Sequence, residues 1–179
     1  NKNSSRKFTG VIGYQGWTFH LYTVWLDNMA QQTFVQNLYH AHDWVKSKKV
    51  DTFKNWIENN SLQEPFWEQV LKPLVKTVAR LLNRIPLFMS LDKRKKDDKY
   101  TRIEGTLEPK YKQGCLYFNE DEKDNPNMQR MEEEFLGVAP NSKMMDGPDG
   151  LEGGVWIIEN IASKENTEYF VGHINNRKY

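Results

Sequence analysis

The chain is poor in cysteine, in long apolar runs and in net charge. Cys115 is the single cysteine. One thiol excludes an internal disulfide framework and a cysteine-based metal site within one chain. It is expected to be a small strand residue in a protein of a reducing compartment. No apolar run reaches membrane-spanning length and no signal peptide is visible, so the expectation is a soluble protein with no membrane partner. Lys and Arg number 25 against 24 Asp and Glu, a net charge of +1. Bulk charge therefore argues neither for nor against nucleic acid, and only local clusters can. There is no internal repeat and no glycine-rich phosphate loop.

What is present suffices for one domain. With 179 residues, 38% hydrophobic and 13% aromatic, the chain can bury a proper core without staples. The stretch on which the reading turns runs from Asn141 to Ile161. In it Asp146, Asp149 and Glu152 recur at every third position, a spacing that gathers them on one helical face. Gly147 and Pro148 lie between the first two, where a turn gives way to a helix. Beyond Asp149 the chain turns apolar at Leu151, Val155, Trp156, Ile158 and Ile161. Two readings stay open from these residues alone. One is a charged helix cap favoured by the macrodipole. The other is a divalent-metal site, because hard cations take oxygen ligands.

The rest of the chain alternates between the two periodicities. Phe8 to Tyr14 and Trp17 to Leu26 are strand-like runs separated by Gln15-Gly16, which predicts an antiparallel hairpin. Gln31 to Lys48 has helical spacing. His40 and His42 lie two apart within it and face different sides, a poor spacing for a metal pair. Val50 to Ile57 predicts a strand with Glu58 at its C-terminal edge, the place where catalytic groups gather in α/β sheets. Leu62 to Asn83 is the longest helical pattern, and Pro73 should kink or split it. Pro86 to Leu91 predicts a short buried strand. Asp92 opens a charged cluster in which Lys93, Arg94, Lys95 and Lys96 form the most basic place in the chain, a candidate phosphate contact. Thr101 to Tyr111 predicts a helix stopped by Gly114, Cys115 to Phe118 a last strand, and Met128 to Leu136 a short helix. A polar tail follows from residue 164 to 179. A hairpin followed by alternating strands and helices predicts an α/β fold with a mixed sheet flanked by helices.

Several motifs stand in a fixed order: Lys99-Tyr-Thr-Arg-Ile-Glu, Leu107-x-Pro109, Gly114-x-Leu-Tyr-Phe118, Glu133-Glu-Phe-Leu, and Lys143-x-x-Asp146-Gly-Pro-Asp149-Gly-Leu-Glu152. Together with Trp56-Ile-Glu-Asn-Asn and the aromatic hairpin, they resemble the C-terminal nuclease domain of bacteriophage large terminase subunits. The resemblance spans most of the chain. It implies a ribonuclease H-like fold and a DNA endonuclease that cuts concatemeric DNA during packaging, in the cytoplasm of an infected bacterium. It implies Mg²⁺ or Mn²⁺ held by acidic residues, with double-stranded DNA, the portal or procapsid and the small terminase subunit as partners. By the same resemblance Glu58, Asp146 and Asp149 match catalytic and metal-ligating positions, and Lys99 and Arg102 match a basic motif that supports the site or touches phosphate. Asp92 is a further candidate because its loop can approach the same strand edge. The family's first catalytic Asp has no counterpart here, and Met144-Met145 stands where many relatives carry His-Asp. The expectation is a single nuclease domain without its native first strand and without the ATPase motor. Two alternatives are a degenerate domain that binds DNA or partner subunits without cleavage, and a phage structural or adaptor protein whose acidic helix tip is only a cap.

Overall fold

The computed structural model describes residues 6–50, 53–58, 66–92 and 97–162. Strands β1 (Lys7–Gln15) and β2 (Thr18–Asp27) form the predicted antiparallel hairpin. Its two turn residues, Gly16 and Trp17, both take positive φ, at 52° and 75°. Such a two-residue turn carries a twist that matches the strands it joins. Glycine accepts this freely, whereas Trp17 does so against its Cβ. Along β2 the buried apolar residues shift parity, from Phe19 and Leu21 to Val24 and Leu26, yet all four share one core. The ladder explains this. Val11 pairs with Thr23 and Ile12 with Leu21, so Tyr22 is an extra residue at a β-bulge. The bulge restores the inward face after the count slips by one.

Helix α1 (Gln31–Ser47) follows, then β3 (Trp56–Glu58). The long helical pattern runs on from Phe66 to Leu81, but Trp67–Leu71 is a π segment ahead of helix α2 (Lys72–Leu81). Lys72 N–H donates to the Trp67 carbonyl, one residue further back than in an α-helix. Pro73 has no N–H, and its ring crowds the carbonyl four residues earlier, so widening the preceding turn relieves it. The predicted effect of Pro73 is thus present as a π segment, not as a break.

Strand β4 (Ser90–Asp92) pairs parallel with β3. Both are shorter than the runs 50–57 and 86–91 suggest. Pairing starts where Ser90 N–H reaches the Asn55 carbonyl, at 2.8 Å. Just before it, the Asn55 side chain donates to the Phe88 carbonyl at 3.3 Å, taking a group that a longer ladder would need. Ile85 and Phe88 remain exposed.

Helix α3 (Lys99–Lys112) is capped by Asp98, which accepts from Thr101 N–H at 3.0 Å, and the chain turns at Gly114 with φ 65°. β5 (Leu116–Phe118) adds to β2 in parallel, giving a mixed three-stranded sheet in the order β1-β2-β5. Cys115 lies just before that strand, and its carbonyl accepts from Phe19 N–H at 2.8 Å. Helices α4 (Pro126–Leu136) and α5 (Asp146–Ile157) pack on this sheet, and α5 runs on into a π turn at Ile158–Ala162. The fold is α/β with a mixed sheet flanked by helices, compatible with a ribonuclease H-like arrangement. Two cores result. Leu21, Leu26, Ile103, Met131 and Leu151 fill one, and Tyr39, Trp67, Val75 and Val78 fill the other. No helix among the described residues is long and apolar enough to cross a membrane. The predicted polar tail, 164–179, lies outside the described residues.

α5 approaches β1 closely because it carries glycine at the contact. A Cβ at Gly150 would stand 2.2 Å from the Phe8 ring. At Gly105, on the exposed side of α3, a Cβ would meet nothing within 4 Å. These two glycines should respond in opposite directions in chemical denaturation. Gly150→Ala is expected to lose about 1–3 kcal/mol to overpacking, and Gly105→Ala to gain up to about 1 kcal/mol of helix propensity.

Candidate functional site

Asp146 opens α5, but it does not cap it. The cap position is Met145, which makes no side-chain cap bond. The free N–H at Gly147 instead donates to Glu134 Oε2 of α4, at 2.8 Å. Glu134 is buried and also accepts from Arg6 Nη1. Asp146 and Asp149 do lie in the first turn, where the macrodipole favours them, but neither supplies the side-chain cap. The anion that serves this helix start comes from another helix, and Asp146 is turned elsewhere.

It is turned to α3. Lys99 and Arg102 stand three residues apart there, the same step that separates Asp146, Asp149 and Glu152, so the two helices face each other with alternating charge. Lys99 Nζ lies 2.8 Å from Asp146 Oδ1 and 3.5 Å from Asp149 Oδ2. Arg102 continues the ladder, with Nη2 2.8 Å from Asp149 Oδ1 and Nη1 2.5 Å from Glu152 Oε2. Thr106 Oγ1 closes it at 3.5 Å from Glu152 Oε1. Asp146 also accepts from Arg6 N–H at 2.7 Å. Glu152 is 1% exposed, so its charge depends on the guanidinium beside it. Burial works against the charge on Arg102. The hydrogen bond to Asp149 and the charges of Asp149, Glu152 and Glu58 outweigh it and raise its pKa above the ordinary value.

Glu58 and Asp92 end the parallel pair β3 and β4 side by side in register. Asp92 is buried and Glu58 exposed. A cavity of about 1330 Å³ brings these elements together. Its lining includes Glu58, Asp92, Lys99, Arg102, Asp146 and Asp149. The carboxylates gather where β1 begins and β3 ends, as the Arg6–Asp146 bond and the influence of Glu58 on Arg102 indicate. All the donors are oxygens, the chemistry that hard divalent cations require. Among the described residues, however, no group of three or more Asp, Glu, His and Cys side chains is close enough to hold a metal ion. Asp146 and Asp149 are met by Lys99 and Arg102 instead.

The structure thus brings Glu58, Asp146, Asp149, Lys99, Arg102 and Asp92 to one cavity. Lys93, Arg94, Lys95 and Lys96 lie outside the described residues. His40 and His42 are apart from one another: His40 stacks on Trp25, and His42 meets the edge of Phe53 and Asn55. Burial lowers the His42 pKa. Sequence reasoning assigned no role to Arg6 or Glu134. Glu134 falls in a noted motif, but its part as a cap partner depends on a contact between helices that no local spacing encodes.

The fold and this cavity define a mixed α/β protein with an ion-paired acidic cluster at one edge of its sheets. No protein-family model matches the chain, and no curated protein matches it.

Removing Arg102 would take the guanidinium away from the buried carboxylate of Glu152. Arg102→Met is expected to cost about 3–5 kcal/mol in urea unfolding. Arg102→Met with Glu152→Met should recover much of that loss, since both buried charges are then gone. Equal losses in the two variants would mean that the ion pair does not bind α3 to α5.

Proposed function

We propose that this chain is the metal-dependent endonuclease domain of a phage terminase large subunit, built on a ribonuclease H-like frame. The observation that carries this reading is that Glu58, Asp92, Asp146 and Asp149 line a single cavity, two from the C-terminal ends of parallel strands and two from the first turn of a helix. Strand ends and helix starts are where α/β folds collect ligand and catalytic groups. The ordered motifs across the chain support the same family. In this reading Glu58, Asp146 and Asp149 would hold Mg²⁺ or Mn²⁺ once drawn together across the cavity, with Asp92 beside Glu58. The bound ion supplies a Lewis acid and an activated water for phosphodiester hydrolysis. Lys99 and Arg102 balance the carboxylates and hold α5 in place. Lys99, whose side chain is 34% exposed, can also meet a phosphate. Lys93 to Lys96 add weak, salt-sensitive affinity for double-stranded DNA. The small terminase subunit and the portal or procapsid are the further partners that this family implies.

A second reading is favoured by one observation. The cations of α3 already neutralise Asp146 and Asp149, as they would in a degenerate domain that binds DNA or partners without cutting.

Mn²⁺ separates the two. A ligand that binds only the native state at about a hundred times its Kd stabilises it by about 2.7 kcal/mol. Millimolar Mn²⁺ is therefore expected to raise the melting temperature and to support nicking of supercoiled plasmid. Both effects should vanish in Asp146→Asn with Asp149→Asn. No Mn²⁺ shift in the native sequence, or an equal shift in the double variant, would remove the metal site. A lost shift without nicking in either protein would leave the binding domain. Independently, Lys93, Arg94, Lys95 and Lys96 changed together to Ala should weaken DNA binding and flatten its dependence on salt. Unchanged binding would remove that cluster from the interface.

A further inference from the structure

The densest run of exposed large apolar side chains among the described residues lies where α2 passes into β4. Leu81, Leu82, Ile85 and Phe88 are all exposed, Ile85 at 86% and Phe88 at 83%. None of the four lines the acidic cavity. A single exposed apolar residue is ordinary, but a group of them marks a contact site.

Their exposure is built into the connection. α2 ends on Asn83, which takes φ 52°. Arg84 N–H then donates back to the Ala79 carbonyl at 2.8 Å, and Asn83 N–H to that of Arg80 at 3.1 Å. These are the two bonds of a left-handed helix closure. The Arg84 guanidinium lies 5.0 Å from the centre of the Tyr39 ring and donates to Asp43 Oδ2 at 2.7 Å. Leu87 N–H reaches Tyr39 Oη at 3.4 Å, and the Phe88 carbonyl accepts from the Asn55 side chain at 3.3 Å. Met89 is buried. The backbone is thus held against the core on both sides of Ile85 and at Phe88 itself, while both side chains point to solvent. Groups presented from a held backbone lose little freedom when a partner covers them.

Charge says what covers them. A cation stands at every fourth residue: Lys72, Lys76 and Arg80 on α2, then Arg84 just beyond it. Lys72 pairs with Glu68 and Arg84 with Asp43. Lys76 and Arg80 are exposed, and no carboxylate among the described residues pairs with them. Like charges four apart on a helix repel, so a carboxylate row laid against them is favoured.

We propose that this face docks an acidic amphipathic helix of a separate protein. Lys76 and Arg80 are separated by about 6 Å of helical rise. Carboxylates at i and i+4 of a helix laid alongside repeat at the same interval, and its apolar stripe covers Leu81, Leu82, Ile85 and Phe88. A second copy of this chain would bring the same two cations to the contact and is opposed by them. A bilayer takes up a helix through a free apolar face, whereas Val75, Val78 and Ala79 of α2 are already buried in the core. The face precedes β4, and Asp92 and Glu58 stand at the C-terminal ends of β4 and β3, so docking here does not occupy the cavity. The inference is independent of the nuclease reading, since it needs no metal.

The test titrates the whole isotope-labelled chain with synthetic helical peptides that share one stripe of Leu and Phe and carry either Glu or Lys on its flanks. The Glu peptide is expected to bind saturably, with amide shifts centred on residues 76–88, and more weakly as salt rises. The Lys peptide should bind about tenfold more weakly or worse. Ile85→Ser with Phe88→Ser should lower affinity for the Glu peptide by about tenfold or more. Lys76→Glu with Arg80→Glu should invert the preference, so that the Lys peptide binds tighter. All four positions are exposed, and unchanged circular dichroism checks that the variants fold. Should one fail to fold, the two peptides on the unaltered chain still decide. Equal binding of the two, shifts lying outside this face, or no binding of either would overturn the proposal. So would tighter binding to phosphatidylcholine–phosphatidylserine vesicles, the sign of a membrane surface, or a dimer that the Ser variant abolishes, the sign of a contact between copies.

Discussion

The pairing of Arg102 with Asp149 and Glu152 is the interaction on which the polar half of this structure depends. A carboxylate as buried as Glu152 is costly unless a cation and further hydrogen bonds meet it. Arg102 provides the cation, and Thr106 lies close enough to add a hydrogen bond. The same guanidinium holds Asp149, and Lys99 extends the contact to Asp146. α3 and α5 are thereby fixed in register, one cation step against one anion step. With α5 fixed, its glycines can lie on Phe8 and Ile12 of β1, and its first turn lines the same cavity as the end of β3. The acidic cavity is a consequence of that helix pair.

This arrangement has a chemical cost that bears on function. Carboxylates satisfied by Lys99 and Arg102 are stable without a metal. A divalent ion entering the cavity must compete with those cations or draw Glu58 and Asp92 toward the helix. The cluster is therefore both a structural joint and a candidate ion site, and the balance between the two roles is set by how tightly α3 holds α5.

Much of the frame was legible from periodicity. The hairpin, the helix after it, and the helices that begin near Lys99, Met128 and Asp146 follow from local spacing and from Pro and Gly punctuation. The spacing of the acidic residues on α5 and of Lys99 and Arg102 on α3 was each readable by itself. That the two ladders mesh was not, because it depends on how the helices pack. The lengths of β3 and β4 were overread. Val50 to Ile57 and Pro86 to Leu91 have strand composition, but the ladder is as short as Asn55 and Ser90 allow. The bulge at Tyr22 could be inferred from the parity change between Leu21 and Val24 only once both were known to face one core. At the start of α5 the sequence left a cap and a metal site both open, and the acceptor that meets the Gly147 N–H, Glu134, comes from a different helix that no local spacing encodes.

The most direct test of the central claim is Mn²⁺ binding read by the loss of the free-ion electron paramagnetic resonance signal, in the native sequence and in Lys99→Gln. The account predicts saturable binding to the native chain and tighter binding once the competing cation is removed. Binding that is absent from both, or unchanged by loss of Lys99, would contradict it and leave the acidic cluster as a joint between two helices.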